Sequence, residues 1–366
     1  EPQRLRGLGR ALTATADNGA GSGALFAAYL GEKRPQIEAF LAKCAPACVA
    51  GTTDATRADL DRYLYGPLAH FTASGGKRTR PALALLGCEA VGGAPEAALS
   101  TAAAIEYFQS AALIHDDIAD KSELRRGEPC TYVTEGTGVA INIGDLGLVN
   151  VLALVLRDEA LPVARRADIA ERLVQMEERT LEGQALDLGW ARDGRWDVSV
   201  EDYLYMASHK TAYYSAAVPL VTGAICGGGT PEQLRALDEF GMRAGLAFQL
   251  QDDLLNLVGD AAKQGKDFRS DITEGKRTLV VVWALAHLGE LERAELLDIL
   301  SHEVTDPARL ERAVELMDAS GAIDYVRGYA RELVSDAKAH LAGATFCDGP
   351  REALLSMADF FVERAG

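Results

Sequence analysis

A short stretch rich in opposite charges is the first sign of chemistry in this sequence. Residues 115–129 read HDDIADKSELRRGEP, so three aspartates are followed within a few residues by Arg125 and Arg126. The arginines would repel a metal cation that bound alone, and the aspartates would repel a bare anion. A metal-bound phosphate group satisfies both kinds of side chain. The stretch therefore predicts a site for a phosphate ester that binds together with a metal ion.

The spacing of the aspartates indicates which metal. Asp116 and Asp120 are four residues apart, so on a helix they lie on one face, one turn from each other. Carboxylates placed so closely repel each other unless a hard cation lies between them, and Mg²⁺ binds carboxylate oxygens while keeping positions for phosphate oxygens. A solvated acidic helix end would show the same pattern, so this motif alone does not decide the matter.

A second acidic cluster strengthens the prediction of a metal site. The stretch FQLQDDLLNLVGD places Asp252, Asp253 and Asn256 on a long apolar helix, with Gln249 one turn before Asp253. Charged groups in so apolar a segment are costly unless they face a polar cavity or an ion. Two such helices facing each other across a bundle would form a cleft with acidic rims, where bundles house metal sites.

Cationic residues near these clusters are suited to phosphate groups. SGGKRTRP places Lys77, Arg78 and Arg80 between a Gly-Gly turn and a proline suited to helix entry. A loop that leads into a helix and carries three cations is suited to an anion, although a solvated run of charge would look the same. Beside the second acidic cluster lie three further cations, Lys210, Lys266 and Lys276.

The elements that position these residues are predicted to be helices. Apolar residues recur at three- and four-residue spacing along most of the chain, and strong helix formers dominate. We find no alternating pattern of strand-forming residues. The predicted fold is all-α, a single large helical bundle with a central cleft over residues 25–366. Residues 1–24 are rich in Ala, Gly, Ser and Thr and are predicted to be disordered.

Composition limits the classes of partner. The 366 residues are 48% hydrophobic and 25% charged, with a net charge of -17, which is typical of a globular protein that repels nucleic acid and anionic lipid. Among the six cysteines, Cys44 and Cys48 form a C-x-x-x-C pair, but no second Cys/His pair lies nearby to complete a zinc site, so we expect reduced thiols. No uninterrupted apolar run reaches the ~18 residues of a membrane span. We therefore expect no span and a cytoplasmic location.

Taken together, the motifs resemble those of the trans-isoprenyl diphosphate synthases, the all-α family that includes farnesyl and geranylgeranyl diphosphate synthases. GGKRTRP, HDDIAD followed by RRG, HKT, FQLQDD and GKDFRSDI occur in the family's order and spacing. One departure is Asn256, because the second aspartate motif commonly ends in Asp, although some geranylgeranyl synthases carry Asn there. The resemblance implies the isoprenoid synthase fold, a homodimer, and Mg²⁺-dependent head-to-tail condensation of isopentenyl diphosphate with an allylic diphosphate.

The resemblance also implies a role for each cluster. Three Mg²⁺ ions would bind the allylic diphosphate through the two aspartate motifs, that is, Asp116, Asp117, Asp120, Asp252, Asp253 and Asn256. Further contacts to this diphosphate would come from Arg125, Lys210, Thr211, Gln249, Lys266 and Lys276. The residues most directly catalytic would be Asp116, Asp120, Asp252, Arg125 and Lys210. Isopentenyl diphosphate would bind without metal to Lys77, Arg80, Gln109 and Arg126. Released diphosphate, rather than a side-chain base, would assist proton loss.

Product length is predicted from the helix that precedes Asp116. Ala112 and Ala111 lie ~6 to 8 Å before Asp116 along that helix, where farnesyl synthases commonly carry an aromatic floor. Phe108 lies about one turn deeper, a further ~5 Å, which is close to one isoprene unit. These residues favour geranylgeranyl diphosphate over farnesyl diphosphate, with longer chains if another helix leaves a gap. If Phe108 instead packs against a neighbouring helix, a residue elsewhere sets the length.

Three other functions remain open at this point. A terpene cyclase on the same scaffold would need the metal motifs but not the isopentenyl site, and the N-x-x-x-S-x-x-x-E triad of cyclases is not found. A catalytically silent partner subunit would usually lack the aspartates that are present here. A helical scaffold protein would leave the charge clusters without explanation. The sequence therefore favours a chain-elongating prenyltransferase.

Overall fold

The structure is a computed structural model that describes residues 22–48, 53–259 and 268–363. The α-helices in this part of the chain are α1 Ala24–Lys43, α2 Asp54–Leu60, α3 Gly66–Ala73, α4 Thr79–Ala90, α5 Leu99–Ala119, α6 Thr131–Glu135, α7 Thr137–Leu156, α8 Val163–Arg192, α9 Val200–Ala207, α10 Val218–Gly227, α11 Pro231–Val258, α12 Ser270–Thr273, α13 Leu279–His287, α14 Glu290–Leu300, α15 Pro307–Ala319, α16 Ala322–His340 and α17 Asp348–Glu363.

Two π-helical segments interrupt this pattern, the first at Asp61–Tyr65 and the second at Ser208–Ala217. Short 3₁₀ turns occupy Pro95–Ala98 and Leu341–Gly343. Strands β1 Leu124–Arg125 and β2 Glu128–Pro129 pair antiparallel in a small hairpin, with Leu124 opposite Pro129. These are the only strands in the described residues, so the predicted all-α fold is confirmed.

Local sequence explains where the long helix α11 begins. Thr230 accepts a hydrogen bond from the backbone N–H of Gln233, and the Gln233 side chain accepts one from the backbone of Thr230. This capping box satisfies two N–H groups that have no partner inside the helix, and Pro231 occupies the first position, where no N–H is needed. The start of the helix that carries the second aspartate motif is therefore encoded by its own residues.

Helix α5 lies in the centre of the bundle, and almost every residue before its acidic end is buried. It packs against α7 on one side and α4 on another, whereas α11 packs against the second π-helical segment and α16. Helices α4 and α10 approach each other very closely at Gly223. A Cβ at that position would lie 1.8 Å from the carbonyl oxygen of Ala84. The buried apolar side chains form one continuous cluster.

The predicted disordered segment, residues 1–24, lies mainly outside the described residues. Its last three residues are described, and they lie against the C-terminal helix α17. Ser356 donates a hydrogen bond to the backbone oxygen of Ser22 at 2.8 Å, and the backbone N–H of Gly23 donates to Glu363 at 3.3 Å. Helix α1 then begins at Ala24. Contacts between the two ends of the described chain therefore fix the start of the bundle.

Among the described helices, α7 is the one that is long and apolar enough to cross a membrane, judged by length and composition alone. Its sequence is interrupted by Asn142, Asp145 and Asn150, and one side of it is buried against α5. Apolar side chains are exposed on the remaining side, at Ile141, Val149 and Leu156.

Candidate active site

The acidic end of α5 holds the first aspartate motif, and each carboxylate already has a partner. Asp117 is buried, and its Oδ1 accepts a hydrogen bond from Nε of Arg125 at 2.8 Å. Asp116 accepts one from Nε2 of Gln184 on α8 at 3.1 Å. Asp120 lies 3.5 Å from the ammonium of Lys276. Burial raises the pKa of Asp120, Lys276 opposes the rise, and Asp116 adds to it.

The second aspartate motif faces the first from α11. Asp253 accepts hydrogen bonds from the hydroxyl of Tyr203 at 2.7 Å and from Nε2 of Gln249 at 2.6 Å. Burial, followed by the nearby Asp271, raises the pKa of Asp253 to about 8, although both hydrogen bonds oppose this. Asp252 lies beside it and is half-buried.

Asn256, the departure from the common motif, connects α11 to the start of α12. Its side-chain amide donates to Oγ of Ser270 at 3.2 Å, and its carbonyl oxygen accepts from the backbone N–H of Asp271 at 3.2 Å. A direct metal contact would have to share this carbonyl oxygen with Asp271. In the structure, Asn256 therefore orients the segment that follows α11.

A cavity of about 180 Å³ joins the two motifs. Asp116 of the first motif and Asp253 of the second both line it, together with Lys210, Lys276 and Thr211. Carboxylates and ammonium groups thus line one shared cavity. The remaining lining residues come from α8, α9, α11 and the segment after α11, and they are Asp187, Tyr203, Met206, Ala207, Gln249, Asp271, Arg277 and Thr278.

The two lysines of this cavity are held by carboxylates. Lys210 forms an ion pair with Asp187 of α8, and Lys276 lies 2.8 Å from Glu274 as well as near Asp120. Burial alone would lower the pKa of both lysines, because it disfavours the charged form. The neighbouring carboxylates have the larger effect, so the pKa of each lysine is raised. Both ammonium groups are therefore charged at neutral pH. Lys266 lies outside the described residues.

The donor set fits a hard cation such as Mg²⁺, because it consists of carboxylate oxygens. Oδ2 of Asp117 is buried and has no hydrogen-bond partner in the part of the chain that the structure describes. Within that part, no three carboxylate, histidine or cysteine side chains converge closely enough to hold an ion by themselves. A metal at this site would therefore need oxygen atoms from a ligand to complete its coordination.

A second group of cations surrounds the loop before α4. Gly75 and Gly76 have φ angles of 111° and 114°, which glycine adopts without strain. Nη1 of Arg126 donates to the backbone oxygen of Gly75 at 2.8 Å and so fastens the β-hairpin to this loop. Lys77 is exposed. This loop and the hairpin together bring Lys77 and Arg126 to one side of α5.

Arg80, in the first turn of α4, is held by the second π-helical segment. Its Nη2 donates to Tyr214 at 3.0 Å and to Ser215 at 2.8 Å, and its guanidinium lies 4.5 Å from the centre of the Tyr214 ring. Its Nε is buried without a partner among the described residues. The Nη2 edge of the guanidinium is thus hydrogen-bonded to the protein, whereas the Nε donor makes no hydrogen bond to the described residues. Gln109, which we predicted for the same site, is half-buried on α5.

The residues predicted to limit product length point in different directions. Phe108 is buried and packs edge-on against Tyr214, with 5.5 Å between the ring centres. Ala111 is buried against α7, where a Cβ on Gly147 would come within 2.9 Å of the Ala111 Cβ. Ala112 is half-buried. The contact between Phe108 and Tyr214 is the packing alternative considered from the sequence.

Six polar residues of the site escaped the sequence analysis: Gln184, Asp187, Tyr203, Asp271, Arg277 and Thr278. Gln184 and Asp187 are three residues apart on α8 and so share a face, but that helix is rich in charged residues throughout, which hides them. Asp271 belongs to the GKDFRSDI motif but was given no role. Nothing in the sequence distinguishes Tyr203 from the other residues of helix α9.

Comparison with known proteins agrees with this geometry. A sequence model of the polyprenyl synthetase family matches residues 61–317. The short chain isoprenyl diphosphate synthase of Methanothermobacter thermautotrophicus is 42% identical over 297 residues, which cover 81% of this chain and 88% of the relative. The geranylfarnesyl diphosphate synthase of Aeropyrum pernix is 34% identical over 310 residues, or 82% of this chain and 94% of the relative.

Solved structures agree as well. The geranylgeranyl pyrophosphate synthase from Corynebacterium glutamicum, complexed with isoprenyl diphosphate and magnesium, superposes with a TM-score of 0.79 at 30% identity. The superposition covers 94% of this chain and 97% of that chain. The likeness therefore extends over nearly the whole bundle, including both helices that carry aspartate motifs.

Proposed function

The chain belongs to the polyprenyl synthetase family, a family of trans-prenyltransferases, and we propose on that premise that it condenses isopentenyl diphosphate head-to-tail with an allylic diphosphate to give a (2E)-prenyl diphosphate. The observation that carries the proposal is the cavity in which Asp116, Asp253, Lys210 and Lys276 meet. Acidic and cationic groups around one space are what a metal-bound diphosphate requires.

Mg²⁺ is the metal that the carboxylate donors suit. The residues that would hold it are Asp116, Asp117, Asp120, Asp252, Asp253 and Asn256. When bound, Mg²⁺ stabilises the negative charge that develops on a leaving diphosphate. Because Asn256 already accepts a hydrogen bond from Asp271, we assign the stronger ligand role on α11 to Asp252. The number of three ions remains a prediction from the family resemblance.

The chain's own cations are arranged for the same leaving group. Lys210 and Lys276 line the cavity, and Arg125 is held at the end of α5 by Asp117. Cations that carboxylates hold in place before the substrate arrives need little reorganisation when charge develops. Thr211 and Gln249, which also line the cavity, would orient the diphosphate. Lys266 is proposed for this role from the resemblance alone.

Isopentenyl diphosphate is assigned to the cations around the loop before α4. Lys77, Arg80, Arg126 and Gln109 would bind it without metal. Two observations support this assignment: Arg126 is bonded to the loop that carries Lys77, and guanidinium groups bind phosphate oxygens through paired N–H donors.

We propose geranylgeranyl diphosphate as the product. The small side chain of Ala112 would leave space at the level where a larger residue would stop a fifteen-carbon chain, and Phe108 lies about one turn deeper. The buried edge-on contact with Tyr214 keeps the Phe108 ring in place, so the ring can act as a fixed floor. A farnesyl or longer product would mean that another residue sets the length.

A homodimer is proposed from the exposed side of α7. Val149 is 67% exposed, and Ile141 and Leu156 are also exposed on this helix. On the adjacent helix α8, Leu181 and Leu188 are exposed as well. An apolar surface of this kind is commonly covered by a protein partner. We propose a second copy of the chain as the partner, in a single-domain, cytoplasmic enzyme that has no nucleic-acid partner and no membrane span.

One incubation tests the proposed reaction. Purified protein is mixed with Mg²⁺, isopentenyl diphosphate and an allylic diphosphate, and the products are dephosphorylated and separated by chromatography. A linear prenyl alcohol that contains units from isopentenyl diphosphate supports the proposal. A cyclic hydrocarbon formed without incorporation of isopentenyl units would instead identify a terpene cyclase.

A further inference from the structure

Arg78 lies in the same loop as Lys77 and Arg80 but turns into the protein. It is 4% exposed, and its Nη1 donates to the carboxylate of Glu106 on α5, which is 2% exposed. Its Nη2 donates to the backbone oxygen of Thr72, near the end of α3, at 2.8 Å. One buried guanidinium therefore ties the loop to both α3 and α5.

The backbone of Arg78 determines the direction of its neighbours. Its φ of 52° lies in the left-handed region, which a non-glycine residue adopts only where its surroundings hold it. Its carbonyl oxygen accepts the hydrogen bond from Ala82 that begins α4. Lys77 precedes this turn and Arg80 follows it. The conformation of Arg78 thus sets the angle between these two cations.

Glu106 is the buried carboxylate that pairs with Arg78. Its Oε2 and Nε of Arg78 are both buried without a hydrogen-bond partner in the described residues, although Glu38 lies 3.9 Å from that Nε. Burial lowers the pKa of Arg126, and Glu106 opposes the change, so Glu106 also acts on the arginine of the hairpin. A negative charge beneath the cluster reduces the repulsion among the cations when no anion is bound.

We propose that Glu106 and Arg78 are positioning residues of the isopentenyl diphosphate site. Neither touches the substrate; the buried pair holds the loop so that Lys77, Arg80 and Arg126 face one anion. This inference rests on the proposed function, since it takes those three cations as the isopentenyl site. The alternative is that the pair only stabilises the packing of α3 against α5.

A double variant separates these two roles. Arg78→Met with Glu106→Leu replaces the buried pair by apolar side chains of similar volume, an exchange that often leaves stability unchanged. We expect a Tm close to that of the wild type but a KM for isopentenyl diphosphate raised about tenfold, the scale of one lost charged hydrogen bond. The kcat and the KM for the allylic diphosphate should change less than about twofold, because Asp116 lies ten residues after Glu106 on α5, roughly 15 Å along the helix.

The matched control is a largely buried ion pair elsewhere in the bundle. Lys33 of α1 pairs with Glu89 near the far end of α4, with 2.7 Å between nitrogen and oxygen. Lys33→Met with Glu89→Leu should leave both KM values unchanged. Glu106→Gln supplies a single variant that keeps the volume and one acceptor oxygen, and its KM for isopentenyl diphosphate should lie between those of the wild type and the double variant.

The outcomes distinguish the inference from the function on which it rests. If the wild type shows no saturable dependence on isopentenyl diphosphate, the proposed function fails. If the wild type shows it, and both Glu106→Gln and the folded double variant keep the wild-type KM, the pair is only structural and the inference fails. A raised KM in the double variant with an intermediate value for Glu106→Gln supports the positioning role.

Discussion

The ammonium of Lys210 and the carboxylate of Asp187 form an ion pair between the second π-helical segment and α8, at the wall of the cavity. Burial alone would raise the pKa of Asp187. The nearby ammonium of Lys210 has the larger, opposite effect, so the pKa of this carboxyl is lowered. Lys210 is therefore fixed in place before any diphosphate arrives.

The first prediction follows from this pair. Asp187→Asn keeps the shape of the side chain but removes its charge, so Lys210 loses the partner that orients it. We expect kcat to fall about tenfold, with the KM for isopentenyl diphosphate unchanged. Steady-state rates with each substrate varied in turn provide the measurement. Glu182→Gln, at an exposed position of α8, is the control, and an Asp187→Asn enzyme as fast as this control would contradict the prediction.

The second prediction separates the two diphosphate sites. Asp116→Ala and Asp252→Ala should each lower turnover by at least about 100-fold, because both remove a carboxylate that we assign to the metal. Lys77→Ala and Arg126→Ala should mainly raise the KM for isopentenyl diphosphate. Initial rates across a Mg²⁺ titration measure both effects. If Lys77→Ala weakened only the allylic substrate, the assignment of the sites would be wrong.

The third prediction concerns product length. Phe108→Ala should lengthen the product, and Ala112→Phe should shorten it, as read by chromatography of the dephosphorylated alcohols. Ala111→Phe serves as a contrast, because Ala111 packs against Gly147 on α7. That change should destabilise the fold by about 1–3 kcal/mol through overpacking. Unchanged products for both Phe108→Ala and Ala112→Phe would show that α5 does not set the length.

The fourth prediction is a dependence of stability on pH. Burial raises the pKa of Glu177 to about 7, from a usual value of about 4.5, and its Oε1 has no hydrogen-bond partner in the described residues. The folded protein therefore keeps a proton that the unfolded chain has lost, so stability falls as pH rises between these two values. Glu177→Gln should remove this fall. Calorimetry at pH 5 and pH 8 should show the variant gaining in Tm relative to the wild type only at pH 8, and an equal difference at both values would refute the assignment.

The fifth prediction tests the homodimer. Val149→Glu places a charge on the exposed apolar side of α7 and should shift the protein from dimer to monomer, because a buried unpaired carboxylate opposes association. Light scattering at micromolar concentration measures the mass. Leu291→Glu is the control, since Leu291 is 88% exposed on α14 and should leave the dimer intact. A monomeric wild type would end the proposal.

Sequence reasoning could select residues where a charge contrasts with the apolar residues around it. Asp252 and Asp253 were predicted as site residues because they interrupt an apolar helix, and the structure places Asp253 in the cavity with Asp116. Asp187 escaped because it lies on α8, where acidic residues are common on every face. The information that separates Asp187 from its neighbours is the position of Lys210, which only the packed helices supply.

The same limit applies to residues that look alike in the sequence. Lys77, Arg78 and Arg80 form one run of cations, yet the left-handed backbone of Arg78 turns it towards Glu106 while Lys77 stays exposed. Ala111 and Ala112 are adjacent and identical, but one packs against α7. Which side chain faces the cleft depends on the rotation of a helix and on single φ angles, and neither can be obtained from spacing alone.

The second π-helical segment bears on how the two substrates are aligned. Its hydrogen bonds join each residue to the fifth one along, so Lys210 and Ser215 are stacked one turn apart. In an α-helix, residues five apart would point about 140° away from each other. The wider winding therefore lets one turn place Lys210 in the cavity that we propose for the allylic diphosphate and bind Arg80 through Ser215. The winding of this single segment, rather than the spacing between separate helices, would then set how far apart the two substrates lie. That separation is the distance between the carbon of the allylic diphosphate that ionises and the double bond of isopentenyl diphosphate that attacks it.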